Sequence, residues 1–472
     1  MVNNKELNLK IGLEIHQQLE GNKLFCRCPG ITNKKELPDF IIERKLRATA
    51  GELGATDIAV KYEQEKNKTF IYEAYRDCNC LVELDEEPPH SINQHALQTA
   101  LEIALLLKAT IIDEIQVMRK IVIDGSNISG FQRTALIAVN GQLETSKGII
   151  HIPTICLEEE AAKKISETAS TITYRLDRLG IPLIEIATSP DIKDPEHAKE
   201  TASKLGMTLR STEKVKRGLG TIRQDVNLSI KNYPRTELKG FQDLRSIPKT
   251  IEKEIEHQLQ QQPKQKEVRK VNEDFSSSFL RPMPSAARLY PETDIPVISI
   301  TKDLLSKIKL PKLILDAAIR LEEKYNLQPH IAEGLIKKKI NLEQYTSQYK
   351  NLEPETIAFI LVELPKEIKS RFSLNPEHLK QEHFNMLLSA LDKGIINKES
   401  ILEILKEILE TGNVNLEKYK PISSEKITSE ITQLIQKNKD LSINALMGMI
   451  MQKYRGKIEG KTVAEIINKI KK

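Results

Sequence analysis

Carboxylate side chains that lie inside apolar, strand-like runs are the feature of this sequence that most restricts its fold. The apolar run from residue 148 to residue 157 leads directly into Glu158, Glu159 and Glu160. Three adjacent carboxylates repel one another, and they cannot all be buried without compensation. Such a triplet therefore either faces water as an acidic turn, which is the commoner case, or shares a hard cation with other ligands.

Two further segments supply candidate partners for this triplet. Residues 9–19 alternate like a β-strand, which places Glu14 and His16 side by side on the face opposite the apolar residues. Glu185 lies inside another apolar run, residues 181–187. Without a metal, Glu14 and His16 would form the polar face of an edge strand. With one, a shared divalent cation would give all of these groups a partner.

Four of the five cysteines occur in two close pairs. The pairs are Cys26-Arg27-Cys28 and Cys78-Asn79-Cys80. Four thiolates at these positions would complete a tetrahedral zinc site, and such a site is structural because no ligand position stays open. The alternative is that the thiols are reduced and lie near one another without metal.

Hydrophobic periodicity predicts both strands and helices over roughly the first 300 residues. Glycine turns join short strands between residues 115 and 157, so the sheet is expected to be mostly antiparallel. Residues 263–278 are expected to be a charged connector, and the proline-rich residues 281–296 neither a helix nor a central strand. Helices are expected at residues 40–53, 93–107, 161–179, 195–210 and 247–262.

The pattern changes after Thr301, where apolar residues recur at helical spacing. Helices are expected in this part at residues 304–310, 313–325, 354–371, 379–391, 398–411, 423–436, 443–454 and 461–470. A break at Pro376 divides this part into two all-α units, 301–375 and 376–472. The two units together contain 29 Lys and Arg against 23 Asp and Glu, whereas the whole chain has a net charge of only +5. A basic excess is usually a solvated face, but it also suits an RNA partner, because phosphate contacts are mainly electrostatic.

Length and composition indicate a cytoplasmic protein of several domains. The chain has 472 residues, which is too many for one compact core. Its first ten residues are charged and polar, unlike a signal peptide. No apolar run approaches the roughly 20 residues of a membrane span, so no membrane association is expected.

The candidate residues favour metal-assisted phosphoryl transfer over covalent catalysis. The sequence contains no Gly-x-Ser-x-Gly elbow, and no cysteine has a clear base partner. Residues 213–228 combine basic side chains with two glycines, and they could approach a phosphate or simply form a basic hairpin. A divalent cation held by the carboxylates would neutralise charge on nucleotide phosphates while Arg and Lys position the acceptor.

Several longer motifs of the sequence are specific enough to compare with known families. They are Ile11–Leu19, Ala50–Gly54, Cys80–Pro89, Val117–Lys120, Ser126–Thr134 and Tyr290–Asp294. Together they resemble the GatB/GatE family of glutamyl-tRNA(Gln) amidotransferase subunits, and in particular its archaeal type, GatE. The bacterial and organellar type, GatB, shares the Glu-x-His strand, the acidic triplet, the strand Pro182–Ile186 and the helical tail, whereas the other motifs favour GatE.

The resemblance implies a fold and a reaction. The fold would be a glutamine-synthetase-like α+β cradle over residues 1–300, followed by a helical domain and a YqeY-like tail domain that binds tRNA. The reaction would use ATP and Mg²⁺ to convert glutamate on tRNA(Gln) into a γ-glutamyl phosphate, which ammonia then attacks. The ammonia would come through a tunnel from an asparaginase-like partner protein, GatD, in a heterotetramer that contains two copies of each protein.

The resemblance also assigns roles to individual residues. Mg²⁺ would be held by Glu14, His16, Glu159 and Glu185, and Glu158 would join these four in binding the ATP phosphates. The substrate cleft or tunnel mouth would be lined by Arg223, Asp225, Glu237, Lys239, Arg288 and Tyr290.

One departure from the family concerns tRNA selection. GatE proteins usually carry an inserted domain, similar to one in aspartyl-tRNA synthetases, where this chain has only the connector 263–278. Three alternative functions stay open. They are a bacterial-type GatB protein that acts on Glu-tRNA(Gln) and Asp-tRNA(Asn), a free-standing ligase of the glutamine synthetase type, and a zinc-stabilised tRNA-binding factor without catalysis.

Overall fold

The computed structural model divides the chain into two compact units, Met1–Leu313 and Ile314–Lys472. The residues that the structure describes are 7–32, 37–51, 54–241, 243–284, 289–420, 431, 432, 434, 446, 447, 449 and 450. The division falls after the predicted boundary at residue 300. Among the described helices, none has the length and apolar character needed to cross a membrane.

The described part of the first unit contains seventeen strands. They are β1 (Lys10–Gln18), β2 (Phe40–Arg44), β3 (Thr69–Ala74), β4 (Thr110–Ile111), β5 (Glu114–Ile115), β6 (Val117–Ile121), β7 (Phe131–Thr145), β8 (Gly148–Glu159), β9 (Lys163–Glu167), β10 (Thr171–Arg175), β11 (Pro182–Ala187), β12 (Ile222–Ser229), β13 (Thr236–Lys239), β14 (Glu267–Val271), β15 (Ser277–Pro282), β16 (Leu289–Pro291) and β17 (Ile298–Ser299).

Helices accompany the sheets in the first unit and build the described part of the second. The first unit contains α1 (Ile58–Glu65), α2 (Gln94–Leu106), α3 (Pro195–Ser211), α4 (Ser246–Gln261) and α5 (Lys302–Ser306). The second contains α6 (Ile314–Tyr325), α7 (Pro329–Lys337), α8 (Leu342–Gln348), α9 (Pro354–Phe372), α10 (Gln381–Asp392) and α11 (Ile401–Thr411), with short 3₁₀ turns at Pro376–His378, Lys398–Ser400 and Leu416–Tyr419.

The main sheet has eleven strands among the described residues, in the order β15-β14-β13-β12-β1-β11-β8-β7-β6-β16, with β4 beside β7. Neighbouring strands are antiparallel except for β13 and β14. The predicted α+β class with a mostly antiparallel sheet is therefore confirmed. Its central strand β1 places His16 opposite Glu185 on one side and opposite Arg223 on the other.

Alternation along β1 determines which face of the sheet is buried. Ile11, Leu13 and Ile15 point into a hydrophobic core that also contains the apolar faces of α2, α3 and α4. Side chains with a period of two project to opposite faces, so Glu14 and His16 face away from the three helices. The helices thus cover one face, and the other face forms the floor of a cleft.

A second, four-stranded sheet in the order β2-β3-β10-β9 supports one wall of that cleft. Its buried rings Tyr72 and Tyr174 stack with centroids 6.1 Å apart. The Tyr72 hydroxyl donates to the Gly125 carbonyl at 2.9 Å, and the Tyr174 hydroxyl donates to the Asp124 carbonyl at 2.8 Å. Two buried hydroxyls therefore hold the turn that begins at Asp124.

The structure corrects three predicted segments. The predicted helix at 161–179 is instead the strands β9 and β10, because Ile172 and Tyr174 alternate toward a core beside Phe70. The predicted helix at 40–53 begins with β2, which pairs with β3. The predicted connector 263–278 includes β14 and the start of β15, both paired into the main sheet. The predicted helices at 93–107, 195–210 and 247–262 are confirmed.

The described helices of the second unit pack around one hydrophobic core. Its buried residues run from Ala318 to Ile408 and include residues on both sides of the predicted boundary at 375/376. This core does not mark a boundary at 375/376 within the described residues. The division into units 301–375 and 376–472 stays a prediction. The predicted helices at 423–436, 443–454 and 461–470 lie largely outside the described residues.

Candidate active-site cleft

The open face of the main sheet forms the floor of a cleft of about 560 Å³. Strand register brings its charged residues together, because paired residues of neighbouring strands share a face. Glu14 of β1 is opposite Asp225 of β12, while Leu183 of β11 is opposite Glu158 of β8. Residues distant in sequence therefore line one cleft.

The first acidic group in the cleft consists of His16, Glu158 and Glu185. One ligand atom from each of these residues lies within 4.8 Å of the others. His16 Nε2 is 3.2 Å from Glu185 Oε2. The Lys120 ammonium of β6 lies between the carboxylates, 2.5 Å from Glu158 and 3.6 Å from Glu185. The Lys120 ammonium is therefore a cation that the two carboxylates of this group already contact.

Burial and pairing give the two carboxylates of this group opposite pKa shifts. Burial raises the pKa of Glu158, and the charge of Glu185 raises it further. Burial also opposes ionisation of Glu185, but the Lys120 ammonium and the hydrogen bond with His16 outweigh it, so the pKa of Glu185 lies well below its usual range. Burial would lower the pKa of His16, but the bond to Glu185 raises it.

The second acidic group lies beside the first and consists of Glu14, Asp225 and Glu237. The Lys239 ammonium is 2.5 Å from both Asp225 and Glu237. Burial lowers the pKa of Lys239, yet the attraction of Asp225 and Glu237 outweighs it and the net pKa shift is upward. Burial raises the pKa of Glu14, and so does the nearby charge of Glu237. The Lys239 ammonium therefore balances part of the negative charge of this group.

An ion pair between the buried Glu160 and the partly exposed Arg223 lines the cleft. The Arg223 guanidinium donates to both oxygens of Glu160, at 2.7 and 2.9 Å, and Gln18 donates to the same carboxylate at 3.0 Å. Burial raises the pKa of Glu160, but the charge and hydrogen bonds of Arg223, the charge of Arg178 and the hydrogen bond from Gln18 together outweigh burial and hold the pKa below its usual range. The negative charge of Glu160 is therefore balanced by Arg223 of the same chain.

Glu159, which the resemblance predicts to hold the cation with Glu14, His16 and Glu185, does not line the cleft in the structure, and its role as a ligand stays a prediction. Successive residues of a strand point to opposite faces, so Glu159 projects away from the cleft that Glu158 lines. Its carboxylate contacts the Arg133 guanidinium at 3.4 Å, and Arg133 also donates to the buried Glu292 at 2.9 Å. Glu159 is thus part of an ion-pair network on the opposite face of β8.

The other predicted residues divide between the cleft and its surroundings. Tyr290 lies on the edge strand β16, where its ring contacts Phe131, and it does not line the cleft. Arg288 lies outside the described residues. The structure brings together in the cleft Glu14, His16, Glu158, Glu185, Arg223, Asp225, Glu237 and Lys239.

Sequence reasoning missed several cleft residues. Lys120 is the most important, because it contacts both carboxylates of the first group. The sequence predicts a strand with a basic pair at 115–124, but the pattern does not show that Lys120 rather than Arg119 faces the cleft. The wall residues Asp124, Arg235 and Arg281 carry no signal beyond their charge.

A separate cluster of three cysteines and one glutamate lies outside the cleft. It consists of Cys26, Cys28, Cys80 and Glu83, with one ligand atom from each within 4.8 Å of the others. Cys26 Sγ donates to Glu83 Oε1 at 2.7 Å, and the Cys80 backbone N–H donates to Glu83 Oε2 at 2.9 Å. Hydrogen-bonding contacts with the side chains of Cys26 and Cys28 lower the pKa of Cys80, which favours the thiolate form that binds metals.

The cysteine cluster differs from the predicted one in one ligand. Cys78 is fully buried at the end of a turn, and its sulfur lies 4.0 Å from the Asn79 side-chain oxygen. The two cysteines of the second pair therefore point in different directions, and only Cys80 joins the first pair. Glu83 supplies the fourth group instead. Three sulfur atoms and one carboxylate oxygen are a donor set that suits Zn²⁺.

Comparison with known proteins agrees with this architecture. Residues 9–306 match the GatB/GatE catalytic domain, and residues 341–470 match the GatB domain. The first match spans the sheet, the cleft and the three covering helices. The chain is thus a catalytic subunit of the amidotransferase class.

Curated relatives extend the similarity over the whole chain. The GatE subunits of glutamyl-tRNA(Gln) amidotransferase are 35% identical to it in Methanocaldococcus jannaschii and 34% identical in Archaeoglobus fulgidus and Pyrobaculum islandicum. Each alignment covers 99% of this chain and 99% of the relative. The chain belongs to the GatB/GatE family.

The alignments also bear on the predicted missing insertion. The alignment with the M. jannaschii relative extends over 625 positions, whereas this chain has 472 residues. That relative therefore contains residues that have no counterpart here. This agrees with the predicted absence of an inserted domain, and the placement of the insertion stays a prediction.

We expect the Arg223→Met substitution to destabilise the protein in a pH-dependent way. It leaves the buried Glu160 carboxylate without its main cation, which costs about 2 kcal/mol after allowance for the partial exposure of Arg223. The paired Glu160 has a lowered pKa, so its stabilisation is present above the unfolded value of 4.5 and is lost as the pH falls. Urea unfolding at pH 7 and pH 4 measures the difference in the free energy of unfolding between the wild type and the variant. This difference should be smaller at pH 4.

The double substitution Arg223→Met with Glu160→Gln is the control. It removes the charge that Arg223 balances, so it should recover part of the lost stability at pH 7. An equal loss at both pH values, with no recovery in the double variant, would contradict the ion-pair explanation.

Proposed function

We propose that this chain activates the side-chain carboxyl group of glutamate that is esterified to tRNA(Gln). ATP would convert this γ-carboxylate into a γ-glutamyl phosphate, and ammonia would displace the phosphate to leave glutamine on the tRNA. The observation that carries the proposal is the pair of acidic groups on the cleft floor, each of which contacts a lysine. The names of the relatives, which specify glutamyl-tRNA(Gln), support the choice of substrate.

The donor sets of both acidic groups fit Mg²⁺. One group offers a histidine with two carboxylates, and the other offers three carboxylates, and hard oxygen ligands are those that Mg²⁺ prefers. Glu158 and Glu185 with His16 would hold one ion, and Glu14 with Asp225 and Glu237 would hold the other. The ions would neutralise charge on the nucleotide phosphates.

The residues of the chain itself would position the reactants. Lys120 and Lys239 place ammonium groups at the cleft floor, where they would attract the phosphates and the γ-carboxylate. Arg223 is held by Glu160 and would present the remaining face of its guanidinium to the cleft. Because the sequence contains no clear amidase nucleophile, the ammonia would come from a partner.

The partners belong to the same proposal. An asparaginase-like partner would generate ammonia in a heterotetramer with two copies of each protein, and the helical tail would bind tRNA(Gln). A cytoplasmic location suits this role in protein synthesis. The second candidate is GatB-type activity, which would extend to Asp-tRNA(Asn). The match of residues 341–470 to the GatB domain is compatible with it but does not separate it from GatE, because the GatE relatives align with 99% of this chain.

We expect the purified protein to make Gln-tRNA(Gln) from Glu-tRNA(Gln), ATP, Mg²⁺ and ammonium chloride without the asparaginase-like partner. Nuclease digestion and chromatography of the labelled aminoacyl-adenosine measure the product. Glu158→Gln should lower kcat/KM by at least about 100-fold, because it removes charge at the cation that stabilises the transition state.

The same assay separates the alternatives. Product from free glutamate without RNA would favour a glutamine-synthetase-type ligase. Conversion of Asp-tRNA(Asn) would favour GatB-type activity, and tRNA binding without any turnover would favour a non-catalytic factor. Failure of the wild-type protein to make Gln-tRNA(Gln) would overturn the proposal.

We expect the cleft to bind two Mn²⁺ ions in place of Mg²⁺. Electron paramagnetic resonance titration counts the bound ions. Glu158→Gln should weaken the binding of one ion and Glu237→Gln the binding of the other. Each affinity should fall by about 10- to 100-fold, because each substitution removes a charged ligand. Glu159→Gln is the matched control, since Glu159 lies on the opposite face. Loss of an ion in the Glu159 variant would instead identify Glu159 as a ligand.

The cysteine cluster would hold a structural Zn²⁺ ion. The ion would join the segment after β1 to the segment after β3, because Cys26 and Cys28 come from one and Cys80 and Glu83 from the other. All four positions of a tetrahedral site would be filled by side chains, so no catalytic role is assigned to it.

We expect one equivalent of zinc in the purified protein, measured by plasma mass spectrometry. Cys80→Ser and Glu83→Gln should lower the zinc content and the melting temperature, because each removes a ligand. Cys78→Ser should retain the zinc, since Cys78 lies outside the cluster. Zinc loss with Cys78→Ser but not with Glu83→Gln would favour the four-cysteine site.

A further inference from the structure

Arg235 differs from the other cations that line the cleft. Among the described residues, Lys120, Arg223, Lys239 and Arg281 each lie within 4.0 Å of a carboxylate. Arg235 has no such partner in the described part of the chain. Its guanidinium instead donates to the Met283 sulfur, at 2.9 and 3.2 Å. A thioether is a weak acceptor, so Arg235 keeps its charge available for an anionic ligand.

A second cavity of about 250 Å³ begins where Arg235 lies. Arg235 and Glu14 line both this cavity and the cleft, so the two are adjacent. Lys10 lines the second cavity from β1, and it too has no carboxylate partner among the described residues. The cavity therefore carries two cations whose charge is not balanced by an ion pair.

The remaining lining of the second cavity is mostly neutral. Thr188, Asn227 and Ser229 contribute polar side chains, and Gly12 leaves part of the floor without a side chain. Among the described residues, Glu14 is the one carboxylate in this lining, and the Asn227 amide donates to it at 3.2 Å. Two cations, two hydroxyls and an amide form a site that favours a phosphate or carboxylate group.

The position along β1 indicates which part of the substrate would reach this cavity. Lys10, Glu14 and His16 share one face of the strand. Four residues separate the Cα atoms of Lys10 and Glu14 by roughly 14 Å, at about 3.4 Å per residue. The two acidic groups lie toward the His16 end. A ligand that touches both ends must therefore be longer than the reacting groups alone.

We infer that Arg235 and Lys10 form a subsite for a backbone phosphate near the aminoacylated end of the RNA substrate. This inference rests on the proposed function. The nucleotide phosphates are assigned to the acidic groups, where a divalent cation must lie between like charges. A phosphodiester carries a single charge, and Arg and Lys bind it directly without a metal.

Four variants test the subsite. Arg235→Gln and Lys10→Gln remove one charge each, whereas Arg235→Lys keeps the charge. Lys231→Gln is the matched control, because Lys231 is an exposed cation just after β12 that lines neither cavity. The KM values for Glu-tRNA(Gln) and for ATP are measured at several salt concentrations with ammonium as the nitrogen donor.

The expected result is a selective loss of RNA affinity. Arg235→Gln and Lys10→Gln should each raise the KM for Glu-tRNA(Gln) by about 5- to 10-fold. Each should also lower the slope of log KM against log salt concentration by about one, the value for one phosphate contact. The KM for ATP and the kcat should stay unchanged. Arg235→Lys should recover most of the affinity, and Lys231→Gln should behave like the wild type.

Other outcomes would overturn the inference. A raised KM for ATP with an unchanged KM for RNA would assign the subsite to a nucleotide phosphate. Arg235→Gln and Lys10→Gln variants that match Lys231→Gln would show that no anion binds there. If the wild type makes no Gln-tRNA(Gln), the proposed function fails, but fluorescence anisotropy with labelled tRNA(Gln) still tests the subsite. Equal RNA affinity of the wild type and both variants would then exclude it.

Discussion

The fold depends on keeping several carboxylates on one face of a sheet without excessive repulsion. Antiparallel pairing of β1 with β11 and β12 aligns Glu14, His16 and Glu185 in adjacent rows. A slip of one residue would turn these side chains into the apolar core beneath α2, α3 and α4. Register is therefore specified twice, by the apolar residues that must be buried and by the charged residues that must not be buried alone.

The chain supplies part of the compensating charge. Lys120 and Lys239 each lie between two carboxylates. These ammonium groups reduce the repulsion within each acidic group, so the sheet carries its own counterions. The opposite pKa shifts of Glu158 and Glu185 follow from the same arrangement, because one ammonium and one imidazole cannot balance both carboxylates equally.

Sequence reasoning succeeded where a single period determined the answer. The alternation of β1 predicted that Glu14 and His16 share a face, and apolar residues at helical spacing predicted α2, α3 and α4. The sequence alone did not determine which residues of a segment face the cleft or the cysteine cluster. Within the triplet, which carboxylate faces the cleft depends on how β8 pairs with β11, and only that pairing shows that Glu158 rather than Glu159 does. Spacing likewise could not distinguish Cys78 from Cys80, because a turn lies between strand and cluster.

The distribution of charge along β1 would separate the two proposed kinds of phosphate recognition. Near His16 the floor is acidic, so a phosphate would be repelled unless a divalent cation lies between it and the carboxylates. Near Lys10 the lining contains two unpaired cations and one carboxylate among its described residues, so a phosphate can bind directly. If the proposed function is correct, a nucleotide and a nucleic-acid backbone would meet different electrostatic requirements within one continuous surface. This difference would let both substrates bind beside each other without competing for the same charges.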